Sequence, residues 1–390
     1  MTRYILRRGL GSLLTLFIFI TAVFFLVQII VPADFTVQFA LGMTAAQREA
    51  LREELGLNLP LWQQYINWIG DFFTGKLGTS FYGNDVIEVL KVTLPLSMLI
   101  FLPGVALAYL LGLQLGKFTG WRSPKIISGA TTLSGLALFT SFPPWLAWLI
   151  AYLIGRRLGV YRGFSGNPAG SFDRRLWAEI DLEPEAVASR MLLTLAFLVG
   201  GLALLNWRLV KRRGSGIPML VALFLVGGIS FLIWRFWGFG PQAMDLVNLA
   251  SIPMLTFILL TFGETMLIMR TSLREQHNQE YVTVARAKGL PEPIVRDKHA
   301  SRNAILPVVS RFIITLPFLL TGIVIIEDVL DWPGVGSSLF SSLYQQDMPV
   351  VMMLFLMVGL VTLVGRLALE VILATLDPRL RITETQDAQP

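Results

Sequence analysis

The sequence predicts an all-α membrane protein that crosses the bilayer about eight times. Three observations carry that expectation. Hydrophobic residues fill 54% of the 390 positions and charged residues only 15%, whereas soluble domains run nearer a quarter charged. The apolar residues gather into several runs of about 20 residues or more, long enough to span a bilayer. Alternating strands of the kind a barrel needs are not evident, and backbone in lipid must otherwise close its hydrogen bonds within helices. The net charge of +6 sits largely in short loops between the runs. It therefore reports orientation, because cytoplasmic loops collect Lys and Arg, and no nucleic-acid partner is expected. Cysteine is absent, which excludes disulfides, thiolate nucleophiles and thiolate metal sites. His277 and His299 are the two imidazoles, and no metal site is expected from them.

In chain order, the basic start MTRYILRRG leads into an apolar run over 10–31. The run exceeds a signal-peptide core and ends without a small-residue cleavage site, so it is expected to remain as a first helix starting in the cytoplasm. Residues 33–91 form an external segment. In it Thr44 can cap a short surface helix reaching Leu55, and Trp62 and Trp68 suit the membrane interface. A second span covers 93–116, and Lys117, Arg122 and Lys125 mark the loop after it as cytoplasmic. The third span, 126–154, is interrupted by Ser141-Phe142-Pro143-Pro144, where proline breaks the backbone ladder and predicts a kink. Residues 155–190 return to the outside. The runs 191–207 and 217–237 flank Arg208, Lys211, Arg212 and Arg213, and read as a helical hairpin with a basic cytoplasmic turn. Spans over 249–269, 305–326 and 350–376 follow, then a polar tail, 377–390. Arg366 and Glu370 lie four residues apart on one helical face and can pair. Glu264, five residues before Met269, reads either as a structural ion pair reaching Arg270 or water, or as a substrate or proton site.

Between the spans 249–269 and 305–326 lies a long polar block, RTSLREQHNQEYVTVARAKGLPEPIVRDKHASRNAILP, which is basic and hence cytoplasmic. Gly289 is expected to end a helix there, since glycine takes the left-handed cap without strain. Pro291 and Pro293 suit the first turn of a new short helix, where a missing N–H costs nothing. Helix, sharp turn and short helix make a rigid knob that suits a groove on another protein.

The wording of this block resembles the cytoplasmic "EAA" loop of ATP-binding-cassette importer permeases, and most of all the dipeptide/oligopeptide permease family. That family's loop reads much like DYVRTARAKGL with H-x-x-R-N-A-x-x-P behind it. The matching positions here are Glu280, Tyr281, Val282, Ala285, Arg286, Ala287, Lys288, Gly289, His299, Arg302, Asn303, Ala304 and Pro307. Leu290 and Val295 sit within the same knob. The resemblance extends to Leu55-Gly56-Leu57-Asn58-Leu59-Pro60-Leu61, Gln64-Tyr65 and Gly75-Lys76-Leu77-Gly78-Thr79-Ser80. It continues with Thr93-Leu94-Pro95-Leu96, Glu327 followed by Pro333, Gly334 and Gly336, then Asp347-Met348-Pro349-Val350 and Asp377-Pro378-Arg379. The chain departs from the family at Val31-Pro32-Ala33-Asp34, at Leu330 and at Arg366 and Glu370. It also departs over 155–237, where the hairpin adds two helices to a six-helix core.

The resemblance implies three divisions: a first helix and external segment over 1–92, a transmembrane permease domain over 93–376, and the tail. It implies a multi-pass protein of a bacterial or archaeal plasma (inner) membrane, with both termini cytoplasmic. It further implies a second permease subunit, two cytoplasmic ATPase subunits and an extracytoplasmic solute-binding protein, with a peptide-like solute passing between the two permeases. Pro143 and Pro144 would then border the path or serve structure only, and Glu327 joins them as a pathway or structural candidate. No G-x-x-x-x-G-K-[ST] phosphate loop is present, so ATP and Mg are expected on the partner ATPases and not on this chain. Two rival readings remain open at this point. One is a stand-alone secondary transporter or channel, which would need polar groups deep in the spans. The other is a membrane scaffold or sensor that uses the loop only for docking.

Overall fold

The computed structural model describes residues 2–30, 35–39, 42–74, 78–121, 123–157, 172–213 and 216–376. The expected features at 31–34, 75–77, Arg122 and 377–390 lie outside these residues, as does much of the 155–190 connection. Among the described residues all regular structure is helical, with one isolated antiparallel bridge between Thr79 and Asp85.

Helix α1, Thr2–Ile30, is the first span. The external segment carries α2, Ala45–Glu54, and α3, Leu61–Phe73. Thr44 caps α2 as expected: its hydroxyl accepts from the Gln47 N–H, and the Gln47 side chain accepts from the Thr44 N–H at 2.9 Å. This reciprocal arrangement satisfies two end donors at once. Trp68 of α3 packs on Phe24 and Phe72, while Trp62 stays 60% exposed.

The second span, α4, Val86–Gly120, is longer at both ends than expected. The third is not a kinked rod. It is α5, Lys125–Phe139, and α6, Pro143–Ile150, which continues as a π-helical stretch to Arg157; the two axes meet at 109°. Pro143 and Pro144 sit in the first turn of α6, where their missing donors are tolerated. At about 22 Å, α5 alone is too short for a 30 Å hydrocarbon core. It runs antiparallel to α10 (Gly240–His277), from Thr132 beside Arg270 to Phe139 beside Gly263. Leu146, Ala147 and Ile150 of α6 then enter the core that holds Phe239, Ala243 and Leu246. The bent pair is a broken span or a re-entrant loop, so the described residues hold seven long apolar helices and up to eight crossings.

The short α7, Arg174–Trp177, is tied to α10 by its indole, which donates to Asp245 at 2.8 Å. Helices α8, Pro184–Arg213, and α9, Met219–Phe236, form the expected hairpin. Trp234 donates to Thr194 Oγ1 at 2.8 Å inside it, and Asn206 accepts from the Ile217 N–H at its turn. Leu193, Phe197, Phe224 and Phe236 face outward, as a lipid-facing surface requires.

Helix α10 is the central element, and more than half of its apolar stretch is buried. It packs on α4 through Gly112, Gly116 and Gly120. A Cβ at Gly116 would lie 2.6 Å from Met269 Cβ, and one at Gly112 would lie 2.7 Å from the Phe262 carbonyl. Only glycine permits so close an approach, and four-residue spacing keeps the three on one face.

The remaining helices are α11, Glu280–Ala287; α12, Glu292–Ile294; α13, Ser301–Val329; α14, Val335–Tyr344; and α15, Met348–Leu376. Helix α1 rests on α15, with Leu16 against Gly359. The Glu370 side chain lies outside the described residues, so the expected pairing with Arg366 is not placed.

Candidate functional site

The 270–307 block folds into a knob between α10 and α13. Helix α10 does not stop at the membrane; it runs on to His277 as one rod. After a tight turn, α11 carries Glu280, Tyr281, Ala285, Arg286 and Ala287. Lys288 caps it, and Gly289 follows at φ +74°. Nothing lies within 4 Å of a Cβ built on Gly289, so its backbone conformation, not crowding, selects glycine. Pro291 is the N-cap of α12 and Pro293 lies in its first turn, as the sequence predicts. A π-helical stretch, Val295–Ala300, joins α12 to α13.

The block's side chains divide by direction. Val282, Ala285, Val295, Ala300 and Ala304 form a buried core with Met269 and Leu273 of α10, against which Tyr281 and Leu290 pack. This interior fixes the knob to the end of α10. Glu280, Ala287, Lys288, Gly289, Pro291 and Pro293 face outward, with Val284 at 53% exposure; His299, Arg302 and Asn303 are exposed beside them.

Sequence reasoning missed the grip of α4. Trp121, just past its last residue, donates from its indole N–H to Glu292 Oε2 at 3.0 Å. Glu292 Oε1 accepts from Arg286 Nε at 3.1 Å, and the Arg286 guanidinium lies 5.3 Å from the Trp121 ring centre. Its terminal nitrogen lies 2.9 Å from His277 Nε2, and the His277 ring meets Trp121 edge-on. Lys117 reaches Asp297 at 4.0 Å. The ends of α4, α10, α11 and α12 are thereby locked into one cluster. Its sequence signal was the Gly112-x-x-x-Gly116-x-x-x-Gly120 spacing, which predicts close packing beside the block.

Two other candidates resolve into contacts. Glu264 does pair, but with Arg311 of α13 and not with Arg270: Arg311 Nε donates to Glu264 Oε1 at 2.6 Å. Arg270 instead donates to Thr132 of α5. The sequence neighbour was too far round the helix, and a residue 47 positions away faces Glu264. Glu327 is buried in the last turn of α13. Its Oε2 accepts from the Gly336 N–H at 2.7 Å, and the Val335 N–H donates to Ser97 Oγ at 2.7 Å, while the Trp332 indole reaches the Leu96 carbonyl. The Pro333-Gly334-Val335-Gly336 turn is therefore folded back onto α4. Close by, Asp347 accepts from the Ser80 hydroxyl and from the Phe81 N–H, the latter at 3.2 Å. Two stretches that resemble the family separately, at 78–80 and 347–350, thus meet in space.

Comparison with known proteins identifies the family. Residues 1–89 match the N-terminal model of binding-protein-dependent transport system membrane components. Residues 191–382 match the binding-protein-dependent transport system inner membrane component model, a range that takes in the whole knob. A putative peptide permease protein of Brucella suis is 30% identical over 98% of this chain and all of its own length. The chain belongs to this family of inner membrane transport components. The permease is also similar to the dipeptide transport system permease protein of Lactococcus lactis, at 28% identity over 98% of this chain and all of the relative. It is similar at 27% identity to the oligopeptide transport system permease protein of Bacillus subtilis, over 97% of this chain and 99% of the relative. It is a multi-pass inner membrane permease of the ATP-binding-cassette importer class.

Proposed function

We propose that this chain is a peptide-importing permease whose 270–307 block, through the tip at residues 289–298, transmits the state of two cytoplasmic ATPases to the membrane helices. The observation that carries the reading is the construction of the knob. Its outer face is exposed, while its inner face is fixed to α10 by a shared core and to α4 by Trp121, Arg286, Glu292 and His277. A push on such a body moves α4 and α10 together. The names of the relatives support a peptide as solute.

In this reading a second permease subunit completes the pathway, and an extracytoplasmic solute-binding protein delivers the solute to its outer side. ATP and Mg bind the partner ATPases, and this chain performs no hydrolysis. Both termini lie in the cytoplasm in this reading: the basic start favours that side, and eight crossings would return the chain to it. ATP-driven closure of the ATPases turns the cavity outward, and hydrolysis returns it inward. The knob must bind the ATPases differently in the two states, since only a difference in affinity shifts an equilibrium.

The test is purification of this chain from its native membrane in mild detergent, together with the ATPases and permease encoded beside it. Recovery of an ATPase pair and a second permease is expected, with the ATPases lost on deletion of 290–298. Recovery of the chain alone, in a detergent that preserves comparable complexes, contradicts the proposal.

A further inference from the structure

Three helices of the membrane domain bring polar groups together where an apolar surface would be expected. Arg311 lies in the apolar run that begins at Ile305, about 9 Å inside it at 1.5 Å per residue. Its side chain is 50% exposed, and Glu264 beside it is 17% exposed. The neighbours on the exposed face of α13, Ile314 and Phe318, are 60% and 73% exposed and apolar. At the same level Tyr109 of α4 turns its hydroxyl toward Thr265 of α10 and Thr315 of α13, with its ring 4.2 Å from Phe312. A half-exposed charge at this depth is costly against lipid and characteristic of a wall that faces a wet cavity.

The contact geometry specifies a ligand. Glu264 engages Arg311 through Nε, and among the described residues the two terminal guanidinium nitrogens make no hydrogen bond. A guanidinium held in this way offers a pair of parallel N–H donors, which match the two oxygens of a carboxylate. Glu264 orients the fork and keeps the empty site neutral, so the site does not bind a single anion too tightly to release it.

We infer that Arg311, positioned by Glu264, binds the carboxylate of the transported solute on the cytoplasmic half of the pathway. The inference rests on the importer reading and specifies the chemistry of its cargo. It makes the α4–α10–α13 face a wall of the pathway.

The experiment uses the complete importer in proteoliposomes, with its own binding protein at saturation. Uptake of a dipeptide is compared with uptake of the same dipeptide amidated at its C-terminus. The ratio of the two in each variant is referred to that of the unmodified importer, which cancels the preference of the binding protein. Arg311→Gln is expected to lower the acid-to-amide ratio about tenfold, the loss of one charge-assisted pair, and Arg311→Lys is expected to lower it less. If Arg311→Gln fails to assemble because Glu264 is left unpaired, Arg311→Gln with Glu264→Gln carries the test, since it leaves no lone charge. An unchanged ratio in the assembled variants means that the pair serves structure or meets the second permease, and overturns the inference alone. An unmodified importer that carries neither peptide overturns the importer reading as well.

Discussion

At the scale of single residues, the knob depends on Gly289. Its φ of +74° and the open space around it separate two effects that usually travel together. A side chain there meets nothing, so any substitution acts through the backbone alone. Asn tolerates the left-handed region and Val does not. Gly289→Asn is therefore expected to keep most uptake, and Gly289→Val to lower uptake at least about tenfold while ATP hydrolysis persists, if the strain is about 2 kcal/mol. Uptake and ATPase rates measured on the same proteoliposomes check both. Gly116 presents the opposite case, since a Cβ there would sit 2.6 Å from Met269 Cβ. Gly116→Leu is expected to destabilise the fold by about 1–3 kcal/mol through overpacking, visible as a lower melting temperature in detergent. The cap at Thr44 and the cap at Gly289 were legible in the sequence because each is decided within four residues. The partner of Glu264 was not, because it depends on how α10 and α13 are rotated against each other.

At the scale of elements, α10 is a single rod from Gly240 to His277, and α4 follows it through three glycines. The sequence marked a span at 249–269 and a separate polar block after it. The structure joins them, because polarity changes along a helix without ending it and only the Asn278–Gln279 turn breaks the rod. The clasp of Trp121 onto Glu292 makes α4 a second route from the knob into the membrane. Trp121→Ala is expected to reduce coupled uptake several-fold with insertion intact, whereas Trp121→Phe loses one hydrogen bond, worth about 1 kcal/mol, and has a smaller effect. Equal uptake in all three proteins would remove α4 from the coupling route. The bent third crossing shows what a proline signal leaves open. Pro143 and Pro144 announce a break in the ladder, but the 109° angle between α5 and α6 is set by packing on α10 and α13.

At the scale of the whole molecule, the number of crossings was legible from the apolar runs, and so was the knob, because both rest on local composition and turn chemistry. The external clasp was not, since Glu327, Ser97 and Gly336, and likewise Ser80 and Asp347, meet only after the chain has folded. In the proposed reading, eight crossings put the knob and both termini on one side. The absence of native cysteine makes that arrangement open to single-cysteine labelling, with Lys288→Cys expected to react only from the cytoplasm and Tyr344→Cys only from outside. The same background allows the most direct test of the central claim, that the knob is the joint with the ATPases. A cysteine at Val284, which is exposed on the outer face of α11, is cross-linked in native membranes with and without ATP. A product joining this chain to an ATPase subunit, with a yield that changes when nucleotide binds, is the expected result. No such product, in membranes where the variant still imports solute, would contradict it.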